Sequence, residues 1–122
     1  MIDRKEDIVD AIQDAVSLRA LGDEQLEAAR AAHAGRSAHT IYGGSERTLR
    51  QTVLALTEGN RLDDHKSPGE ATLLVLRGKV QIGTASTTVG GSEGDYLVIP
   101  DEIHNLVALE DSVVLLSVVA RR

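Results

Sequence analysis

The sequence has 122 residues, the length of a single domain, with 42% hydrophobic and 26% charged residues. It contains no Cys, Trp or Phe, which excludes disulfides, thiolate metal sites and a cysteine nucleophile. A net charge of −6 and only two Tyr argue against nucleic-acid binding, because neither a basic surface nor stacking platforms are available.

The N-terminal region is acidic and contains no continuous apolar stretch. Its first 30 residues carry eight acidic and four basic side chains. Neither a signal peptide nor a membrane-spanning segment is expected from such a pattern. We therefore predict a cytoplasmic protein without a membrane partner.

Helical periodicity is confined to the first 35 residues. A modest apolar stripe includes Ile8, Val9, Ile12 and Val16. A second helix is predicted over "GDEQLEAARAAHAG", with Asp23 as N-cap and Gly35 as the residue that ends it. Residues 1–35 are thus predicted to be a helical extension that covers a sheet edge, and residues 36–122 to be the β domain.

From residue 36 onward, short apolar segments alternate with turn residues. The predicted strands are "SAHTIY", "LRQTVLAL", "ATLLVL", "KVQIG", "TTVG", "DYLVIP", "HNLVAL" and "SVVLLSVVA". Many short strands separated by such turns are typical of an antiparallel sandwich or barrel.

Two of these strands, "ATLLVL" and "SVVLLSVVA", are apolar at both odd and even positions. A strand with one solvated face should alternate, so both faces of these strands need cover. The N-terminal helices could supply one cover and a second subunit another. We therefore predict a homodimer with these strands at or near the interface.

Two segments together resemble the paired motifs of the cupin superfamily. "GNRLDDHKSPGEATLLVLRG" is similar to the first motif, in which Gly and five residues precede His-x-His, followed by Glu and a second Gly. "GDYLVIPDEIH" is similar to the second, in which Gly and five residues precede Pro and then His. The resemblance covers residues 49–120 and implies a small bacterial cupin with an all-β, jelly-roll-like antiparallel barrel.

Metal-binding cupins take two histidines and a glutamate from the first motif and one histidine from the second. Carried over by position, the resemblance assigns His65 and His104 as ligands of a divalent metal ion. The second-histidine position is Ser67, and the glutamate position is Ala71. Glu70 lies one residue too early, so in a strand it would face away from the barrel unless a bulge intervenes.

Two imidazoles alone form a weak divalent site, because catalytic centres normally offer three or more protein ligands. The candidates for a third ligand are Glu70, Asp63, Gln51 and His39. For Asp63, an exposed acidic turn is the favoured interpretation.

Three functions remain open at this point, and whether the chain is an enzyme is among the open questions. The first is a small-molecule-binding cupin without a tightly held metal. The second is a metal-dependent oxygenase or isomerase that uses His65, His104 and a carboxylate. The third is a dimeric interaction module with a filled barrel. The predicted ligand pocket is lined by His65, Ser67, Ala71, Val75, Tyr96 and His104.

Overall fold

The computed structural model describes residues 14–44, 46–67 and 69–120. Of the predicted apolar stripe, Ile8, Val9 and Ile12 lie outside them, and Val16 is exposed before the helix begins. The elements are helix α1 (Leu18–Ala31) and strands β1 (Arg36–Tyr42), β2 (Leu49–Leu56), β3 (Arg61–His65), β4 (Gly69–Arg77), β5 (Lys79–Gly83), β6 (Thr88–Ser92), β7 (Tyr96–Val98), β8 (His104–Ala108) and β9 (Ser112–Ala120). Within the described ranges no helix is long and apolar enough to cross a membrane.

The strands form two antiparallel sheets. One has five strands in the order β1-β2-β9-β4-β7, and the other has four in the order β3-β8-β5-β6. The two sheets face each other and enclose the core. Among the described residues no strand pairing joins their edges, so the barrel is not closed by hydrogen bonds. The predicted all-β fold with antiparallel sheets and an N-terminal helix is confirmed.

The inner faces of the two sheets form the main core. Along β4 the alternating residues Ala71, Leu73 and Val75 are buried, while the residues between them are partly exposed. They pack with aliphatic residues of the facing sheet, including Val80 and Leu106. Each fully buried Val or Leu side chain contributes about 1.5–3 kcal/mol to folding.

A second cluster lies on the outer face of the five-stranded sheet, under the helix. Leu26 and Ala29 of α1 pack against Val53, Ala55 and Val113. This contact explains why β9 is apolar on both faces near its start: Val114 faces the core and Val113 faces the helix. The expectation that a helix covers part of an outer face is therefore confirmed for α1.

The predicted start of this helix was wrong. The helix begins at Leu18, and its N-cap is Ser17, whose Oγ accepts a hydrogen bond from Ala20 N at 3.1 Å. Asp23 lies inside the helix, where it pairs with Arg77. Gly22 is tolerated within the helix because it allows close approach: an added Cβ would lie 3.2 Å from Val113 Cγ1.

The predicted end of the helix was also displaced. The helix ends at Ala31 with Ala32 as C-cap, and Gly35 lies further on, in the turn that leads to β1. Gly35 is buried and has a φ of 70°. It therefore serves the turn rather than the helix terminus.

Candidate functional site

An open groove of about 410 Å³ lies where the edges of the two sheets meet. Its lining comes from β1, β2, β3 and β9 and consists of Arg36, Ser37, Ala38, Thr52, Leu54, Leu62 and Leu116. β1 and β3 are the edge strands of their sheets on this side. A volume of this size lies within the range of small-molecule sites.

A small recess adjoins the groove and shares Leu54, Leu62 and Leu116 with its lining. The recess is lined by both predicted histidines, His65 and His104, among aliphatic side chains. Its volume of about 20 Å³ has room for roughly one water molecule. The interior beside the histidines is therefore nearly filled, and space for a larger molecule lies in the groove.

A β-bulge in β3 brings the two histidines together. Leu62 pairs with Leu106 and His65 pairs with His104, so three steps along β3 match two along β8. Without the extra residue, strict alternation from Leu62 would turn His65 to the opposite face. The bulge therefore places His65 on the inner side, opposite the buried His104.

The two imidazoles are held in the same way. Their ring centroids lie 4.5 Å apart with an interplanar angle of 62°. His65 Nδ1 lies 2.8 Å from the carbonyl oxygen of Asp63, and His104 Nδ1 lies 2.8 Å from that of Glu102. A carbonyl only accepts, so each Nδ1 carries the proton, and in the neutral ring each Nε2 is then a hydrogen-bond acceptor or ligand.

His104 is 3% exposed, yet its Nε2 is not sealed off. Across the described residues, Arg50 Nε is the one fully buried side-chain nitrogen or oxygen without a hydrogen-bond partner. His104 Nε2 also has no hydrogen-bond partner among these residues. Since Arg50 Nε is the one fully buried atom of this kind, His104 Nε2 is not fully buried. It therefore remains reachable by solvent through the recess.

Comparison with known proteins was informative only at the level of structure. No family model and no curated protein matches the sequence. A conserved protein of unknown function from Streptococcus pyogenes is similar, with 30% identity and a TM-score of 0.66, over 75% of this chain and 79% of that one. A cupin superfamily protein from Desulfitobacterium hafniense DCB-2 has 14% identity and a TM-score of 0.65, over 70% of this chain and 78% of that one.

KdgF from Halomonas sp. is a further neighbour, with 22% identity and a TM-score of 0.60, over 71% of this chain and 82% of that one. These matches agree with the two-sheet architecture. The chain has the cupin fold.

The described donors around the two imidazoles do not suit a resident metal ion. No three His, Cys, Asp or Glu side chains of the described residues are grouped so as to hold one. Ala71, at the glutamate position, is buried on the inner face, whereas Glu70 is exposed on the opposite face. The side chains of residues 70 and 71 therefore alternate between the two faces of β4, as the sequence predicts.

The other candidate ligands also lie away from the imidazole pair. Asp63 is 91% exposed in its side chain and pairs with Arg61 at 3.3 Å. Gln51 donates to Ser117 Oγ at 3.0 Å on the outer face of the five-stranded sheet. His39 is opposite Val53, which places it on the same outer face.

Of the predicted pocket residues, only His65 and His104 line the recess. Ala71 and Val75 are inner-face core residues, and Ser67 is half-buried after β3. Tyr96 was placed wrongly: it is 63% exposed and opposite Leu74 on the outer face. The neighbouring Leu97 is the residue of β7 that packs into the core.

Sequence reasoning missed the groove itself. Leu54, Leu62 and Leu116 form its apolar surface and Arg36 lies at one side. Leu62 is the signal that the sequence offers, since it is an apolar residue directly before "DDH", the segment for which a turn is predicted.

A larger depression of about 470 Å³ lies between the helix and the sheet, lined in part by Leu18, Leu76 and Glu93. Its lining also includes Arg77 and Asp23, which already form an ion pair with each other. The charges of its lining sum to zero, with Arg19 and Arg77 against Asp23 and Glu93. Because its lining shares no residue with the histidine-lined recess, we place the candidate site at the groove.

Proposed function

We propose that this cupin binds a small organic molecule in the groove, against Leu54, Leu62 and Leu116, with polar contacts to His65 and His104. The observation that supports this most strongly is the matched fixing of the two imidazoles. Each Nδ1–H is held by a backbone carbonyl at 2.8 Å, so both Nε2 atoms are preset as acceptors beside an apolar surface. Few polar groups on an apolar lining are typical of small-molecule sites.

The first test is a titration with 1,8-octanediol, a neutral probe with an apolar body and hydroxyl ends, followed by methyl NMR. We expect the methyl signals of Leu54, Leu62 and Leu116 to shift, and those of Leu18 and Leu76 in the other depression to stay. Ala38→Leu should fill the groove and abolish the shifts, because Ala38 is an exposed lining residue. Ala28→Leu, at an exposed helix position, is the matched control. Shifts confined to Leu18 and Leu76 would refute the proposal.

The metal-dependent enzyme is the first rival. One feature favours metal binding: an imidazole whose Nδ1–H bonds a carbonyl and whose Nε2 is free has the arrangement common in metal-ligating histidines. We expect fewer than ~0.2 equivalents of iron, manganese, nickel or zinc on protein made without a histidine tag and then reconstituted. A stoichiometric metal ion that is lost in His65→Ala would favour the enzyme instead.

The filled-barrel interaction module is the second rival, and the small recess favours it. It differs from our proposal in one outcome. A filled barrel without a ligand predicts that no probe perturbs the groove methyl groups, whereas our proposal predicts saturable shifts there.

We also propose that a second copy of the chain covers the bare part of the outer sheet face. Tyr96, Val98 and Val119 are 63%, 70% and 39% exposed there. Between them lie neutral polar residues, Thr72 and Ser117, which cost little to desolvate compared with charges. The exposed Glu70 lies opposite Val119, at the margin of this patch. Light scattering at micromolar concentration should give twice the monomer mass, and Val98→Lys should reduce it to one. A monodisperse wild-type monomer would contradict this.

A further inference from the structure

We infer that the ligand of the groove is an organic acid, with its carboxylate at Arg36, an apolar body on the leucines and a hydrogen-bond donor at the histidines. This inference rests on the proposed function and adds the class of ligand. It starts from the charge of the lining. The groove and recess are lined by Arg36 and by neutral or imidazole side chains, without any Asp or Glu. In a chain of net charge −6 this makes the groove a site that favours an anion.

Arg36 is placed to meet a carboxylate. Its Nη1 donates to the carbonyl oxygen of Arg61 at a long 3.4 Å, which fixes the guanidinium beside β3. Arg36 is in none of the ion pairs formed between described residues. A guanidinium offers five N–H donors in a planar fork, so those not facing Arg61 remain for the two oxygens of a carboxylate.

The opposite end of the site requires a donor. Because both Nδ1 atoms are occupied by carbonyl oxygens, the Nε2 atoms of His65 and His104 accept hydrogen bonds. A hydroxyl or amide N–H on the ligand would satisfy them. A second carboxylate would not, since it has no proton to donate at neutral pH.

The distance between the two ends sets the length of the ligand. Arg36 contacts Arg61, which pairs with Val107, and His65 pairs with His104. Three residues along β8 therefore separate the two levels, or about 10 Å at the rise of a strand. The surface between them is apolar and includes Leu54 and Leu62. An acid with an apolar chain of about eight carbons and a distal hydroxyl has this length.

Four probes test the inference by calorimetry and methyl NMR: 8-hydroxyoctanoate, octanoate, octyl phosphate and 1,8-octanediol. We expect 8-hydroxyoctanoate to bind about tenfold more tightly than 1,8-octanediol, as one charge-assisted hydrogen-bonded contact would give. Arg36→Gln should remove that advantage and leave the affinity for the diol unchanged, and Arg36→Lys should restore only part of it. Arg47→Gln, which alters an exposed arginine stacked on Tyr42, should change neither affinity.

Equal affinity for 8-hydroxyoctanoate and the diol, with groove methyl shifts for both, would overturn the inference and leave the proposed function intact. Tighter binding of octyl phosphate than of octanoate would overturn the assignment to a carboxylate. Absence of groove shifts with all four probes would overturn the proposed function as well.

Discussion

The two ends of the space between the sheets are built from the same aliphatic residues and have different surroundings. At the closed end, Leu56, Val75, Val80, Ala108 and Val114 are each no more than 1% exposed. At the open end, Leu62 and Leu116 are half-buried and His65 is exposed.

Strand β9 crosses from one end to the other and shows what causes the difference. Val114, Leu116 and Val118 face the same side, but only Val114 is fully buried. The residue types hardly change along the strand, so the cover decides the role of each side chain. Aliphatic residues of the same types stabilise the fold at the closed end and form the proposed binding surface at the open end.

Replacing one leucine at each end should separate these roles. Leu56→Ala should cost about 2–5 kcal/mol of unfolding free energy, because it leaves a cavity among packed side chains, and should leave probe binding intact. Leu116→Ala should cost about 1–2 kcal/mol and weaken 1,8-octanediol binding severalfold. Urea unfolding and calorimetry measure both. Equal losses of unfolding free energy in the two variants would contradict the distinction between a packed closed end and an open end.

The turn between β4 and β5 sharpens the description of the closed end. Gly78 has a φ of 84°, and a Cβ there would overlap Asp111 O and Ser112 Oγ. We expect Gly78→Ala to be about 1–3 kcal/mol less stable than Gly59→Ala in urea unfolding. Gly59 is the matched control, because its φ is 85° and its added Cβ would meet nothing within 4 Å. Equal losses would show that the overlap is relieved without cost.

Alanine replacement of the two histidines should have different effects on the stability of the protein and the same effect on probe binding. His104→Ala should cost about 1–3 kcal/mol, because the side chain is buried and its loss leaves the Glu102 carbonyl without a donor. His65→Ala, at an exposed position, should cost less than about 1 kcal/mol. Both variants should weaken 1,8-octanediol binding. An unchanged affinity in His65→Ala would remove that residue from the site.

The smallest effect is expected at Asp111, outside both ends. A hydrogen bond from Glu58 N, with the ion pair to Arg30, holds the pKa of its carboxyl below the ordinary value. Because the pKa is lower in the folded than in the unfolded chain, this stabilisation is complete above the ordinary pKa and is lost as the pH falls through the folded-state value. Asp111→Asn should therefore be less stable than wild type at pH 7, with the gap closing below about pH 3.9. Glu110→Gln, which removes the neighbouring exposed carboxyl, is the matched control.

Much of the fold was predictable from local pattern. Alternation identified the buried face of β4, and the motif spacing identified His65 and His104 as neighbours. The same alternation correctly excluded Glu70 from the interior. The bulge that would have turned Glu70 inward does not occur, because the pairing of β4 with β9 is regular there. A different bulge, in β3, orients His65.

What could not be predicted depends on contacts distant in sequence. The polar segment "DDH" favours an exposed acidic turn by its sequence, yet pairing with β8 places it in strand β3. The start of the helix was missed because Leu18 and Leu21 stabilise its first turn by packing against the sheet, a contact that local sequence does not show. The face of Tyr96 was missed because the short strand β7 supplies too few residues to establish an alternation.

The proposed function requires both imidazoles to present unprotonated Nε2 atoms to a ligand in the groove. Long-range ¹H–¹⁵N NMR of the histidine rings at neutral pH, with and without 1,8-octanediol, tests it most directly. We predict protonated Nδ1 and unprotonated Nε2 for both His65 and His104, with the Nε2 signals moving on addition of the probe. Protonated Nε2 atoms in the free protein, or Nε2 signals that do not move at saturation, would contradict it.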